Sequence, residues 1–312
     1  MSTSTKIVRL VMGTLLVIVI VVATFVLLPH WTRTWGATEA EVERTLPGDE
    51  LMERAPSDWT HGATIDAPPE EVWPWIAQIG DDRGGFYSYT FIENLMMGEE
   101  VYHNANRILP QFQNPQPGEG LIVDSLQVYD VEPGKWLLAA RISGVEDFDW
   151  VWLWHVEPVG TNQTRLLVRS GMRLPAEASN PVMSAVVEVG GFVMERRMIE
   201  GLKLRAEGGT EPAEIEAVEI LLWMAALVAG LGAAGLLLTR PAWQAPLLLG
   251  LAALFTLIWF TFWQPSIWLR LLFDIALFAL LWWMASRVPR VTAATWSEQK
   301  QTPGSRAVQD RW

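Results

Sequence analysis

Between positions 83 and 107 the sequence gathers Arg83, Tyr87, Tyr89, Glu93, Asn94, His103, Asn104 and Arg107. These side chains suit proton transfer and ligand orientation. Tyr87 and Glu93 could orient a ligand hydroxyl or carbonyl, and His103 could exchange protons near neutral pH. The same set has a plainer reading, in which Arg83 and Arg107 pair with Glu93 and neighbouring acids to pin a loop while the tyrosines pack. Other chemistries lack their parts. The chain has no Cys, which removes disulfides, thiolate nucleophiles and Cys-ligated metal. His30, His61, His103 and His155 lie far apart without HxxxH or HExxH spacing, so no metal site is expected. Ser88 lacks the second glycine of a nucleophile elbow. No catalytic residue and no cofactor is assigned, and binding is favoured over enzyme activity.

A second group is aromatic. In FDWVWLWHVE, Trp150, Trp152 and Trp154 alternate with Val151, Leu153 and His155, so the indoles share one face of a strand that is apolar on both sides and buried on both. They either line a cavity or fill it. Aromatic rings without partner acids or bases suit binding more than catalysis.

The elements that must position these residues follow from periodicity. Trp59–Ala67 alternates as a strand. Asp66-Ala-Pro-Pro-Glu-Glu then starts a helix in which Val72, Trp75, Ile76 and Ile79 form an apolar stripe interrupted by Pro74. After Gly80, the stretch GGFYSYTFIENL (Gly84–Leu95) reads as a shorter helix, with Tyr87, Phe91 and Leu95 at four-residue spacing. Strands are expected over Gly120–Asp124, Leu126–Val131, Trp136–Ser143, Phe148–Glu157 and Arg165–Met172, with a Pro-Gly turn at Pro133-Gly134. Asn180–Arg205 is a long helix. It carries Met194 on an apolar stripe, and Gly190-Gly191 would allow close approach to a sheet.

Half of the residues are hydrophobic and 18 are Trp, a composition that points to a membrane protein with a soluble part. Leu10–Leu28, Ile215–Leu238, Ala245–Phe262 and Ile267–Ala285 are each long enough to span a bilayer. The expected organisation is a tail at 1–9, an anchor at 10–28, a stalk at 29–46, a soluble domain at 47–207, a linker at 208–214, a three-helix bundle at 215–286 and a tail at 287–312. Lys6, Arg9, Arg240, Arg287 and Arg290 place both termini inside and the soluble domain outside a cell membrane crossed several times. Gly230-Leu-Gly-Ala-Ala-Gly235 matches a dinucleotide pattern letter for letter, yet lies within an apolar span where no strand precedes it. Ala226, Gly230 and Ala234 instead offer a flat face for helix contact or self-association. Asp274 is the one acid within the last span, and Arg270 stands one turn earlier as an interfacial ion-pair partner. The net charge of −12 carries no basic patch, so no nucleic acid is expected.

The element order, with IDAPPEEVWPWIAQIG (Ile65–Gly80), GGFYSYTFIENL, NANRILPQFQ (Asn104–Gln113) and TRLLVRSGMRLP (Thr164–Pro175), resembles the SRPBCC superfamily (START-like, Bet v 1-like, helix-grip). Within it, the likeness is to the bacterial branch described as polyketide cyclase/dehydrase or lipid-transport-like. That branch usually carries an Asp where this chain has Asn106, and often another where it has Thr90. The resemblance implies an α+β helix-grip domain: a curved antiparallel sheet, two short helices and a long C-terminal helix around a deep hydrophobic cavity. It also implies a lipid or polyketide-like ligand. The expectation is a membrane-anchored binding module for such a lipophilic molecule, in contact with membrane lipid. The candidate lining residues are Trp75, Arg83, Tyr87, Tyr89, Phe91, Glu93, His103, Arg107, Trp150, Trp152, Trp154 and Met194. A cyclase- or dehydratase-like enzyme, or a structural or sensory module whose interior is filled by its own side chains, are the rivals.

Overall fold

The computed structural model describes residues 2–52, 57–97, 103–122, 126–142, 148–176, 178–212 and 214–287. Asp124, Ser143, Arg290 and the C-terminal tail beyond Arg287 lie outside these. In chain order the helices and strands are α1 (Thr3–Leu27), α2 (Pro29–Arg33), α3 (Glu39–Glu43), α4 (Asp49–Met52), β1 (Ser57–Ile65), α5 (Pro69–Ala77), α6 (Thr90–Met97), β2 (Gly120–Ile122), β3 (Leu126–Glu132), β4 (Trp136–Arg141), β5 (Asp149–Val159), β6 (Gln163–Arg173), α7 (Pro181–Ala206), α8 (Ile215–Thr239), α9 (Gln244–Trp263) and α10 (Ile267–Ser286).

The strands form one antiparallel sheet in the order β1-β6-β5-β4-β3-β2, so the first two strands occupy opposite edges. A register shift between Val128 and Asp130 marks a bulge in β3, the device by which a sheet curls. Met198, Ile199 and Leu202 of α7 join Trp152, Trp154, Leu166 and Val168 in one core, with Val72, Trp75 and Ile76 of α5 closing its side. This is the helix-grip arrangement, an α+β domain beside four apolar helices.

β5 is buried on both faces, as its composition required. Its indoles enter the α7 core, while Val151 and Leu153 pack with Leu46, Leu138, Ala140 and Leu167 on the far side of the sheet. That far side is covered by 29–46, expected as a stalk. Arg169 reaches across it to Asp49 at 2.7 Å and to the carbonyls of Glu41, Val42 and Arg44, and Arg165 grips Glu41 at 2.7 Å. The Arg165 guanidinium holds the Glu41 carboxyl down at about 2.

α5 keeps Pro74 because the carbonyl orphaned one turn earlier belongs to Glu70, which is exposed to water. GGFYSY is where the helical reading fails. Gly85 and Tyr87 have left-handed backbone, with φ of 80° and 58°, and α6 begins only at Thr90. Tyr87 is therefore buried in a turn, while Phe91 and Leu95 point outward from α6, so the four-residue stack does not exist. At Gly85 a Cβ would sit 2.2 Å from the His103 carbonyl oxygen, which closes the position to any other residue.

α1, α8, α9 and α10 are long and apolar enough to cross a membrane, which makes this a membrane protein. α8 packs on α9 through Ala226, Ala229 and Ala233 against Leu249 and Ala253, and Gly230 faces Ala253. Two of the three small residues expected to serve self-association are thus occupied within the chain, and only Ala234 is left exposed. Asp274 is buried with neither carboxylate oxygen hydrogen-bonded. Arg270 reaches Glu219 of α8 at 3.6 Å, so the ion pair expected for Asp274 is directed to another acid.

α7 crosses the sheet with glycine at two contacts. Gly191 lies against the Trp59 ring, and a Cβ at Gly201 would stand 2.3 Å from the Tyr87 carbonyl oxygen, whereas Gly190 faces open space. Gly201→Ala should lower stability by about 1–3 kcal/mol through overpacking. Gly190→Ala should raise it by roughly 0.5–1 kcal/mol through helix propensity. Thermal melts of the two variants in nanodiscs, moving in opposite directions, check both.

Candidate functional site

The chemistry-bearing residues fall into two groups that the sequence did not separate. The first lies in the grip's interior. Glu195, on the sheet-facing side of α7, accepts hydrogen bonds from Trp59 Nε1 at 3.1 Å and Trp152 Nε1 at 3.2 Å. His61 Nδ1 stands 2.8 Å from its other oxygen, and His61 Nε2 lies 2.6 Å from the Thr32 carbonyl oxygen in α2. A carbonyl only accepts, so Nε2 carries a proton, and a second proton is shared between Nδ1 and the carboxylate. His61 and Glu195 are fully enclosed. The sequence showed His61 only as one of four scattered histidines, and Glu195 sits in MERRMIE, which reads as a solvated face.

Around this carboxylate the rings are in mutual contact. Trp150 stacks on Trp152 at 5.3 Å between centroids, Trp152 meets Trp154 at 5.1 Å edge-on, and Phe86 closes on Trp152 at 6.3 Å. Trp150 donates to Ser170 Oγ at 2.9 Å. Trp75 and Tyr87 meet edge-on at 6.0 Å, and the Tyr87 hydroxyl donates to the Trp75 carbonyl at 3.0 Å. Two cavities stand out among the described residues, one of about 20 Å³ and one of about 600 Å³. Both are lined by α1 and its neighbours, and neither touches the indole face of β5.

The second group is a polar seam where the grip meets the membrane helices. Arg197 pairs with Glu211, lies 3.6 Å from Glu219 and covers the Tyr89 ring. Arg205 covers the Tyr87 ring and is 3.6 Å from Glu211. Burial pushes both tyrosine phenols up, away from any proton exchange near neutral pH. On the other side of α7, Arg196 donates to the Phe262 carbonyl at 2.8 Å, Gln264 donates to the Val193 carbonyl at 2.8 Å, and Trp31 stacks on Trp263 at 4.6 Å.

Thr90 and Asn106 belong to this seam. Thr90 Oγ1 donates to Glu216 of α8 at 2.6 Å, where an Asp would set carboxylate against carboxylate. Asn106 Nδ2 donates to the Glu211 carbonyl at 2.8 Å, and its Oδ1 accepts from the Glu211 amide at 3.3 Å, a reciprocal pair that ionised Asp cannot make.

The remaining predicted residues scatter. Arg83 is buried, but its partner is Glu119 at 2.8 Å and the Ala77 carbonyl, so it ties α5 to the strand-leading loop rather than to Glu93. Ser88 Oγ donates to the Met194 carbonyl at 3.0 Å, which fixes α7 against the turn. Phe91, His103 and Arg107 are exposed. The twelve candidates therefore do not converge on one cleft. Among the described residues, no three His, Cys, Asp or Glu side chains come together as metal ligands.

No protein-family model matches the chain. No curated protein matches it. Among solved structures, it is similar to a Mesorhizobium loti protein at 16% identity over 49% of this chain and 98% of that one, with a TM-score of 0.30. A Thermobifida fusca protein is 10% identical over 50% of this chain and 97% of its own, with a TM-score of 0.29. A Streptomyces aromatase/cyclase is 14% identical over 48% of this chain and 93% of its own, with a TM-score of 0.28. Likeness at these scores says nothing of ligand or reaction here.

Glu93 has a buried oxygen, Oε2, that meets no hydrogen-bond donor, as does Glu219 in the same seam. Burial, helped by the charge on Glu216, pushes the Glu93 pKa from 4.5 up to about 8. Between those values the folded protein keeps a proton that the unfolded chain releases, so stability falls as pH rises through the window and levels off above it. The melting temperature should therefore drop between pH 5 and pH 8, and Glu93→Gln should flatten that drop. Equal slopes in the two proteins would contradict the assignment.

Proposed function

We propose that this chain is a non-catalytic membrane module in which a helix-grip head, filled by its own aromatic side chains, couples an N-terminal anchor to a three-helix membrane bundle. The observation that carries this reading is the occupied centre of the grip. In a lipid- or polyketide-binding grip, a central carboxylate would be available to a ligand. Here Glu195 already holds two indoles and an imidazole, and the imidazole's other nitrogen is bonded to the segment that leaves the anchor.

The chain of contacts has a direction. Displacement of α1 and α2 moves the Thr32 carbonyl, which loads His61, then Glu195, and so α7. α7 in turn bears on α8–α10 through Arg196, Arg197 and Arg205. A structural or sensory role uses such a linkage, whereas a carrier needs an interior that opens. Burial shifts both tyrosine phenols and the Glu93 carboxyl upward, which favours binding or structural roles for them over proton transfer.

Photocrosslinking with a diazirine-bearing fatty acid, applied to the full chain in nanodiscs and mapped by peptide mass spectrometry, separates this reading from a lipid-carrying grip. Adducts are expected on α1, α8, α9 and α10. Saturable adducts at Trp152, Trp154 or Met198 would overturn it in favour of a ligand held between sheet and α7.

A further inference from the structure

The larger cavity, about 600 Å³, lies outside the grip and opens between α1, α8 and α9. Val8, Met12 and Leu16 form one wall, and Leu237 and Leu247 form the other. Ser4, Thr5 and Arg9 stand at its mouth beside Trp243. Beside it, Gly13 of α1 approaches Leu237 of α8.

Three features fit this groove to one class of occupant. First, it follows α1 from Ser4 to Leu16, about 18 Å of helix. One leaflet of a bilayer's hydrocarbon is roughly 15 Å deep. Second, its walls are apolar, so in a membrane the space is taken by hydrocarbon. Third, its mouth is cationic and uncompensated. The Arg9 guanidinium donates to the carbonyls of Leu237 at 3.2 Å, Arg240 at 2.5 Å and Pro241 at 2.9 Å, all neutral partners. Arg240 likewise donates to the Ala285 carbonyl at 2.9 Å, and Lys6 is exposed. No Asp or Glu occurs in 2–16, 232–250 or 281–287, so the cations at this end of the bundle meet no acid from those segments.

We propose that this groove binds an anionic glycerophospholipid, one acyl chain lying between α1 and α9 and the phosphate held at Lys6 and Arg9, with the Ser4 and Thr5 hydroxyls as further donors. The lipid then wedges the anchor at a fixed distance from the bundle. The proposal depends on the membrane helices alone and stands whether or not the grip holds a ligand.

The test is native mass spectrometry of the full chain released from nanodiscs of equal phosphatidylglycerol and phosphatidylcholine. One phosphatidylglycerol is expected to be retained in preference to phosphatidylcholine. Lys6→Gln with Arg9→Gln should reduce that preference by at least about fivefold, since each juxtamembrane cation contributes attraction to anionic lipid. Arg9→Lys, which keeps the charge but not the fork to the carbonyls, should retain the preference. Leu247→Trp, which fills the groove and leaves Arg9 untouched, should abolish retention of both lipids at an unchanged melting temperature. Equal retention of the two lipids by the unmodified protein would overturn the proposal. So would a preference that survives the double Gln variant, one lost in Arg9→Lys, or retention that survives Leu247→Trp.

Discussion

A carboxylate cannot stay in an apolar core without donors, and Glu195 in the middle of the grip sets terms that the surrounding elements must meet. An unpartnered ion there would cost several kcal/mol. Three donors from two strands answer it: Trp59 and His61 of β1, and Trp152 of β5. Those contacts fix how deep α7 sits and which way the two large indoles turn. Gly191 is the accommodation on the helix side, where an added Cβ would stand 3.1 Å from the Trp59 ring. The imidazole extends the constraint outward by bonding the Thr32 carbonyl, so the anchor's exit is tied to the same carboxylate.

The second layer of organisation is the seam. Arg197 and Arg205 of α7 share Glu211, and Glu219 of α8 lies within 3.6 Å of both Arg197 and Arg270. Mixed charges in such a string satisfy one another only while head and bundle hold their relative position. Breaking one member leaves its partner enclosed and uncompensated, which costs more than the intact pair contributes. Buried ion pairs are weak stabilisers but are used to specify one arrangement among several, and the contacts of Thr90 and Asn106 fit that use. Thr90 donates to the Glu216 carboxylate of α8, and Asn106 pairs with the Glu211 peptide of the segment leading into α8. Asp274, enclosed and without a hydrogen bond, is left outside this pattern.

The apolar spans, the strand sequence and the long helix were legible because each is a sustained period over many residues, and β5 announced its double burial through alternation alone. The turn at GGFYSY was not legible. Tyr87, Phe91 and Leu95 keep helical spacing, and only the left-handed backbone at Gly85 and Tyr87 reveals that the first belongs to another element. The packing of 29–46 on the sheet was not legible because Glu41 looks solvated until Arg165 from the sheet is seen to meet it. Composition placed the indoles on the inner face but could not distinguish lining from filling, which depends on volume. Glu195 was invisible for a related reason: an acid followed by two arginines reads as surface until the three donors arrive from strands more than 40 residues away.

The most direct measurement is amide-type exchange at the indoles themselves. With the full chain in nanodiscs and ¹⁵N-labelled tryptophan, the Trp59 and Trp152 Nε1–H resonances can be assigned by single Phe replacements and followed after transfer to D₂O. Side chains that fill the grip and donate to a dry carboxylate predict that both protons persist for hours. Loss of both within the dead time would mean water reaches Glu195, and a solvated hollow, not a filled core, would lie between the sheet and α7.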